Sequence, residues 1–198
     1  MLDRRARALY GPAIGRVAEH AVGVGISAGA VTAFGLLVGI GGCVAAALGE
    51  WGIALTLWLA NRFLDGLDGA IARRTRVSDL GGMLDFLADF VIYAGFVVAV
   101  AIAIPDARLA CTALLAAYLL NNVALLSFAS LVEKRDLQFG DERSLRFTTG
   151  LTEGTETILA YTAICLLPDH ASTIAWTFAA MVMVTVAQRV GLAFRTLT

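Results

Sequence analysis

Residues 65–73 read Asp-Gly-Leu-Asp-Gly-Ala-Ile-Ala-Arg, and Gly81, Asp85 and Asp89 follow shortly after them. The sequence on both sides is apolar, so four carboxylates fall within or beside segments that have the character of membrane-spanning helices. A carboxylate in a low-dielectric setting has to be paired, protonated or bound to a cation, because leaving it bare is energetically expensive. A divalent metal ion is the simplest way to satisfy all four together.

The chain as a whole is too apolar for an ordinary soluble domain. Of its 198 residues, 59% are hydrophobic and only 16% are charged, and the mean hydropathy is +0.78. A helix needs about 20 mostly apolar residues to cross a bilayer. The sequence therefore predicts an all-α integral membrane protein with a single domain, residues 1–198, in which six helices form one bundle. The predicted spans lie near 28–49, 51–72, 80–104, 107–132, 149–167 and 171–192.

The basic residues predict the orientation of the chain, since Lys and Arg accumulate on cytoplasmic loops. With six spans, all but two of the 15 basic residues fall on one side of the membrane. Arg108 falls on the opposite side, and Arg62 lies inside the second span. We therefore expect a multi-pass protein of the cell (inner) membrane with both termini and the acidic motif on the cytoplasmic side.

The first segment, residues 1–22, is predicted to form an interfacial amphipathic helix at the inner leaflet, interrupted near Gly11-Pro12. It mixes arginines with apolar residues and would be attracted to anionic lipid headgroups. The alternative is a mobile basic tail that only enforces orientation.

The three cysteines lie in separate apolar spans and are interpreted as packing residues: Cys43, Cys111 and Cys165.

The four aspartates form two pairs at helical spacing. Asp65 and Asp68 share one face of the second span, and Asp85 and Asp89 share one face of the third. If these spans are antiparallel neighbours joined by residues 74–80, the two pairs can face each other near the cytoplasmic side. Oxygen ligands select hard cations such as Mg²⁺, and two ions bridged by carboxylates can polarise a phosphoryl group. The pattern thus favours phosphoryl-type transfer.

Small and basic residues beside the acids fit the same chemistry. Gly69 and Ala72 leave room for a ligand against the helix backbone, and Arg73 can neutralise phosphate charge. A structural alternative is an ion-pair network of the acids with Arg62 and Arg73. Two arginines cannot balance four carboxylates, so this alternative is the weaker one.

The pattern Asp65-x-x-Asp68-Gly69-x-x-Ala72-Arg73, followed by Gly81-x-x-x-Asp85-x-x-x-Asp89, resembles the signature of the CDP-alcohol phosphotransferase (CDP-alcohol phosphatidyltransferase) family. Six spans agree with the fold of that family. The loop from Arg74 to Leu80 is one residue shorter than the family usually has.

The resemblance implies a metal-dependent enzyme of phospholipid biosynthesis. It would transfer a phosphatidyl-type group from a CDP-linked lipid donor, preferably CDP-diacylglycerol, to an alcohol hydroxyl and release CMP. Two ions of Mg²⁺ (or Mn²⁺) would be held by Asp65, Asp68, Asp85 and Asp89, and Asp89 would also be the general base. Residues implied to line the donor site are Gly69, Ala72, Arg73, Ser78, Gly29 and Thr32. The resemblance also suggests a homodimer, and no nucleic-acid partner is expected.

The acceptor alcohol stays open. Candidate acceptor contacts from the later spans are Asn121, Asn122, Glu153, Glu156 and the basic residues Arg143 and Arg146. Asn121 and Asn122 could equally satisfy each other or nearby backbone. Residues 150–157 faintly resemble the Gly-Pro-Thr-Glu-Gly stretch of choline and ethanolamine phosphotransferases, with Leu151 in place of Pro. Thr152 could equally cap the start of a helix.

Two other functions stay in view. One is a CDP-choline- or CDP-ethanolamine-type phosphotransferase that acts on a diacylglycerol-like acceptor. The other, more distant, is a cation-coupled transporter, which would also place acids and arginines within its spans. Transporters of that kind predict internal repeats, and the acidic motif has no counterpart in the other half of the chain.

Overall fold

A computed structural model of the chain describes residues 2–135, 151–152 and 154–197. This part of the chain contains helices and no strands. The α-helices are α1 (Leu2–Gly23), α2 (Ala28–Ala47), α3 (Trp51–Ala72), α4 (Asp79–Ala103), α5 (Arg108–Lys134), α6 (Gly154–Leu166) and α7 (Ala171–Leu197). Short 3₁₀ turns, Pro105–Ala107 and Pro168–His170, lead into α5 and α7.

Four helical segments are long and apolar enough to cross a membrane by length and composition: Ala28–Ala47, Asp79–Ala103, Pro105–Lys134 and Pro168–Leu197. Helix α3 has 22 residues but contains Arg62, Asp65 and Asp68. Helix α6 has only 13 residues, and the predicted span 149–167 begins partly outside the described residues. The all-helical fold is confirmed, whereas the count of six spans stays a prediction.

The ends of α2 to α5 lie within two residues of the predicted boundaries. Helix α6 begins at Gly154, five residues after the predicted start at 149, and α7 runs on to Leu197, five residues past the predicted end at 192. The turn between α2 and α3 needs a glycine, because Gly49 has φ +78° and lies in the left-handed region. Around it, Glu50 N donates to Ala45 O at 2.9 Å and Gly49 N donates to Ala46 O at 3.0 Å.

Helix α1 is continuous through Gly11 and Pro12, so the predicted interruption there is wrong. A proline inside a helix removes one backbone donor and clashes with the preceding turn. Tertiary packing offsets this cost, because the apolar face of α1 is buried against α3. The buried cluster at this contact also includes Val31 of α2, and its other members are Ile14, Ala18, Ala21, Leu67, Ala70 and Ile71. The face of α1 that carries Arg16, Glu19 and His20 is exposed.

Glycines bring α2 close to its two neighbours. Gly35, Gly39 and Gly42 are buried along one face of α2. A Cβ at Gly39 would lie 2.7 Å from Ile92 Cδ1 on α4 and 2.9 Å from Asn61 Nδ2 on α3. This close approach also lets Asn61 Nδ2 donate to Gly35 O at 2.9 Å. The helices that carry the acidic motif are therefore packed tightly against α2.

An aromatic cluster joins the acidic helices to the second half of the bundle. Trp58 on α3, Phe96 on α4 and Tyr161 on α6 are almost fully buried, and the rings of Phe96 and Tyr161 stack with centroids 4.7 Å apart. Tyr161 donates its hydroxyl to Tyr93 O at 2.9 Å, and the hydroxyl of Tyr118 on α5 lies 2.9 Å from that of Tyr161. All three cysteines are free, as expected for packing residues.

Candidate active site

Three of the four predicted acids lie together between α3 and α4, which both pack against α2. One carboxylate oxygen each from Asp65, Asp68 and Asp85 can be chosen so that all lie within 4.8 Å of one another. Oxygen ligands around Mg²⁺, Mn²⁺ or Ca²⁺ sit about 2.0–2.6 Å from the ion, so ligands of one ion lie within about 5 Å of each other. The three side chains therefore fit a divalent cation in both spacing and chemistry.

Asp68 is the most buried of these acids, with 4% of its surface exposed. The hydroxyl of Thr32 on α2 lies 2.7 Å from Asp68 Oδ2 and 3.1 Å from Ala28 O. We assign the hydroxyl proton to the carboxylate, which is the closer and the stronger acceptor. A residue predicted at the donor site thus contacts a predicted metal ligand directly.

Asp89 lies outside the group of three and is paired with an arginine. Arg62 NH2 donates to Asp89 Oδ1 at 2.8 Å, and Arg62 NH1 lies 3.8 Å from Asp65 Oδ2. The ion-pair alternative is therefore correct for Arg62 and Asp89. It does not account for Asp68, which takes its hydrogen bond from Thr32.

All four acids line a single small cleft, and the other residues that line it are Thr32, Gly35, Leu36, Asn61 and Ala88. The cleft holds about 10 Å³ of space, which is close to the room needed by one water molecule. It can admit a metal ion but not a nucleotide. Its lining comes from α2, α3 and α4 alone.

The remaining residues predicted at the donor site are not among those that line the cleft, and all but Gly29 lie at the end of α3 or the start of α4. Arg73 follows the last residue of α3, Ala72, and a Cβ at Gly69 would lie 3.2 Å from Arg73 NH1. Ser78 caps α4, since its hydroxyl accepts a hydrogen bond from Gly81 N at 3.1 Å. Gly29 is exposed in the first turn of α2.

The predicted acceptor contacts that the structure describes, Asn121, Asn122 and Glu156, are not among the residues that line the cleft. Asn121 accepts a hydrogen bond from Arg189 NH1 at 2.6 Å, so Asn121 and Asn122 do not simply satisfy each other. Glu156 lies in the first turn of α6. Glu153, Arg143 and Arg146 lie outside the described residues. Thr152 is bonded to Thr185 on α7, with the two hydroxyl oxygens 2.7 Å apart.

A comparison of the sequence with protein families found one matching family. The model of the CDP-alcohol phosphatidyltransferase family matches residues 26–188, which include α2, α3 and α4 and most of the remaining bundle. The chain belongs to this family. It is accordingly a transferase, and the cation-coupled transporter loses its support.

Individual relatives agree with the assignment. The chain is 36% identical over 200 residues to the inner membrane protein YnjF of Escherichia coli, with 100% of this chain and 97% of the relative covered. The fold is similar to that of a Mycobacterium tuberculosis phosphatidylinositol phosphate synthase (PgsA1). For its structure with CDP-DAG bound, the TM-score is 0.71 at 20% identity, with coverage of 90% of this chain and 92% of that chain. For its complex with manganese and citrate, the TM-score is 0.73 at 20% identity, with coverage of 91% and 88%.

Sequence reasoning missed two residues that hold the site of this transferase together. Asn61 bridges Gly35 O and Arg62, and Tyr93 accepts a hydrogen bond from Arg62 at 2.7 Å. The sequence spacing of both residues could have indicated them. Asn61 precedes Asp65 by four residues and Tyr93 follows Asp89 by four, so each extends an acidic face by one helical turn.

Proposed function

We propose that this transferase moves a phosphatidyl-type group from a CDP-linked lipid, most simply CDP-diacylglycerol, to the hydroxyl of an alcohol in phospholipid biosynthesis, with release of CMP. The observation that carries the proposal is the group of three carboxylates on α3 and α4, within 4.8 Å of one another, in a cleft that also contains Asp89. The structural relative with bound CDP-DAG supports this type of donor.

The acids fit a divalent metal centre. In this proposal Asp65, Asp68 and Asp85 hold the first ion, and Asp89 completes a site for a second. When bound there, Mg²⁺ or Mn²⁺ would polarise the phosphoryl group and stabilise the leaving oxygens. The manganese complex of the structural relative supports this choice of cation.

The remaining steps are assigned to side chains of this chain. Asp89 takes the proton from the acceptor hydroxyl as that oxygen forms a bond to the lipid-linked phosphorus. The bond between this phosphorus and the oxygen of CMP breaks at the same centre. Arg73, beside Gly69 at the end of α3, contacts the diphosphate and holds the donor in place. Thr32 keeps the carboxylate of Asp68 in the orientation needed by the metal.

We also propose that the site faces the cytoplasmic side of the membrane. Basic residues cluster at the ends of the helices where Arg73 and Arg74 lie, and such residues favour the cytoplasmic side. The donor would therefore enter from the inner leaflet, with both termini in the cytoplasm and α1 along the membrane surface. A homodimer is proposed from the family resemblance.

The experiment is a donor and acceptor screen with purified protein in lipid nanodiscs. CDP-diacylglycerol is mixed with Mg²⁺ or Mn²⁺ and one alcohol at a time from a panel of glycerol phosphate, inositol phosphate, inositol, serine and choline, and CMP is measured by chromatography. We expect CMP release that requires both the metal and one class of alcohol. Release of CMP only from CDP-choline with diacylglycerol would show that the proposed donor is wrong.

A further inference from the structure

Arg62 is a buried cation with a fixed position inside the bundle. Its side chain is 6% exposed, and its guanidinium carbon lies 4.9 Å from the ring centres of both Trp58 and Tyr93. Arg62 Nε and NH2 donate to Asn61 Oδ1 at 3.0 and 2.6 Å, and NH1 donates to the Tyr93 hydroxyl at 2.7 Å. Asn61 is held in turn by its bond to Gly35 O.

The fixed guanidinium stands on one side of the acidic group. It bonds Asp89 at 2.8 Å and approaches Asp65 to 3.8 Å, whereas Asp68 accepts its hydrogen bond from Thr32. The guanidinium cannot move away without losing its contacts with the two aromatic rings and its hydrogen bonds to Asn61 and Tyr93. A permanent positive charge therefore lies next to Asp89, the one aspartate of the cleft lining that is outside the group of three.

The net charge of the site limits how many divalent ions it can bind. Four ionised carboxylates and Arg62 have a net charge of minus three, and one divalent ion reduces this to minus one. A second ion would make the centre net positive in a setting of low dielectric, where like charges repel strongly. A bound diphosphate brings its own negative charge and oxygen ligands and removes this obstacle.

We propose that Arg62 substitutes for the second metal ion in the nucleotide-free enzyme. In the protein alone, Asp65, Asp68 and Asp85 would hold one ion, and Asp89 would help to hold a second only when a nucleotide diphosphate supplies further oxygen ligands. This inference rests on the proposed function, since it assigns a positioning and charge-balancing role to Arg62 at the same site. The second ion would therefore bind only when the donor is present.

The test counts Mn²⁺ ions bound per chain, measured by the electron paramagnetic resonance signal of free Mn²⁺, with and without CDP. We expect one ion for the native protein without CDP and two with CDP. Arg62→Gln removes the charge and should bind two ions without CDP, with affinity for the second ion increased by about tenfold or more. Arg62→Lys keeps the charge and should bind one. Arg108→Gln, an exposed arginine at the opposite end of the bundle, is the matched control and should behave as the native protein does.

The outcomes separate this inference from the proposed function. Two ions bound by the native protein without CDP, or one ion bound by Arg62→Gln without CDP, would overturn the role of Arg62 while leaving the metal centre in place. No Mn²⁺ bound by the native protein, with or without CDP, would overturn the metal centre itself. If Arg62→Gln fails to fold, the inference can still be contradicted, because two ions bound without CDP by the native protein or by Arg62→Lys would overturn it.

Discussion

The four aspartates at the centre of this site have different surroundings, and these surroundings predict different roles. Asp68 is buried, bonded to Thr32, and belongs to the group of three. Asp89 is tied to Arg62 and lies beside that group. We expect Asp68→Asn to weaken binding of Mn²⁺ and of CDP together. Asp89→Asn should instead reduce turnover by about 10²–10⁴-fold, the usual contribution of a general base, and retain the first Mn²⁺.

Measurements of Mn²⁺ binding, CDP binding and CMP release on the same preparations would check this division. Asp79, an exposed acid in the first turn of α4, offers a matched control, and Asp79→Asn should leave all three values close to those of the native protein. Full activity of Asp89→Asn would remove its assignment as the base.

Thr32 allows a sharper test, because its role depends on a single hydroxyl group. Thr32→Val keeps the shape of the side chain but leaves Asp68 Oδ2 without the donor 2.7 Å away. Loss of a residue that orients a metal ligand typically lowers metal affinity by about 10–100-fold, and we expect a decrease in Mn²⁺ affinity of that order. Thr32→Ser restores the hydroxyl and should recover most of the affinity. Equal Mn²⁺ affinity of the valine and serine variants would contradict the role.

At the scale of the helices, the glycine face of α2 sets how closely α2 approaches α3 and α4. An added Cβ at Gly39 would lie 2.7 and 2.8 Å from atoms of Ile92 and 2.9 Å from Asn61, and Asn61 cannot move without breaking its bond to Gly35. Gly39→Ala should therefore destabilise the fold by about 1–3 kcal/mol, as overpacking does. Thermal unfolding in detergent measures this change.

The control for that experiment is Gly52→Ala, since a Cβ at this position in α3 meets no atom within 4 Å. An alanine in an open helical position is slightly favourable, so its melting temperature should equal or exceed that of the native protein. A melting temperature for Gly39→Ala as high as that of Gly52→Ala would show that the helices have room to separate.

The helices also show what local sequence could predict. Helical pitch predicts that Asp65 and Asp68 share one face of α3 and that Asp85 and Asp89 share one face of α4. That these faces meet at one cleft depends on the packing of both helices against α2, which has no local signal. The course of α1 through Pro12 could not be predicted locally, since it depends on burial of Ile14 and Ala18 against α3. The bond from Arg189 to Asn121 spans 68 residues and likewise has no local signal.

At the scale of the whole molecule, the position of the acidic cleft implies which end of the bundle faces the cytoplasm. The turn between α3 and α4 contains Arg73, Arg74 and Arg76, whereas Arg108 is the only basic residue in the turn that leads into α5. Because arginine accumulates on cytoplasmic loops, we propose that the first turn, and the end of the bundle that carries the cleft, face the cytoplasm. Val77 and Asp106 are exposed in these two turns, so a cysteine at either position can report its side.

We expect a membrane-impermeant maleimide to label Asp106→Cys in intact bacterial cells with a permeabilised outer membrane, and to label Val77→Cys only after the inner membrane is disrupted. The native chain is the control, because Cys111 and Cys165 are buried and Cys43 is partly buried, and it should give little signal. Labelling of Val77→Cys in intact cells would reverse the orientation. The donor would then have to reach the cleft from the outer leaflet, and a cytoplasmic supply of CDP-linked lipid could not serve this enzyme directly.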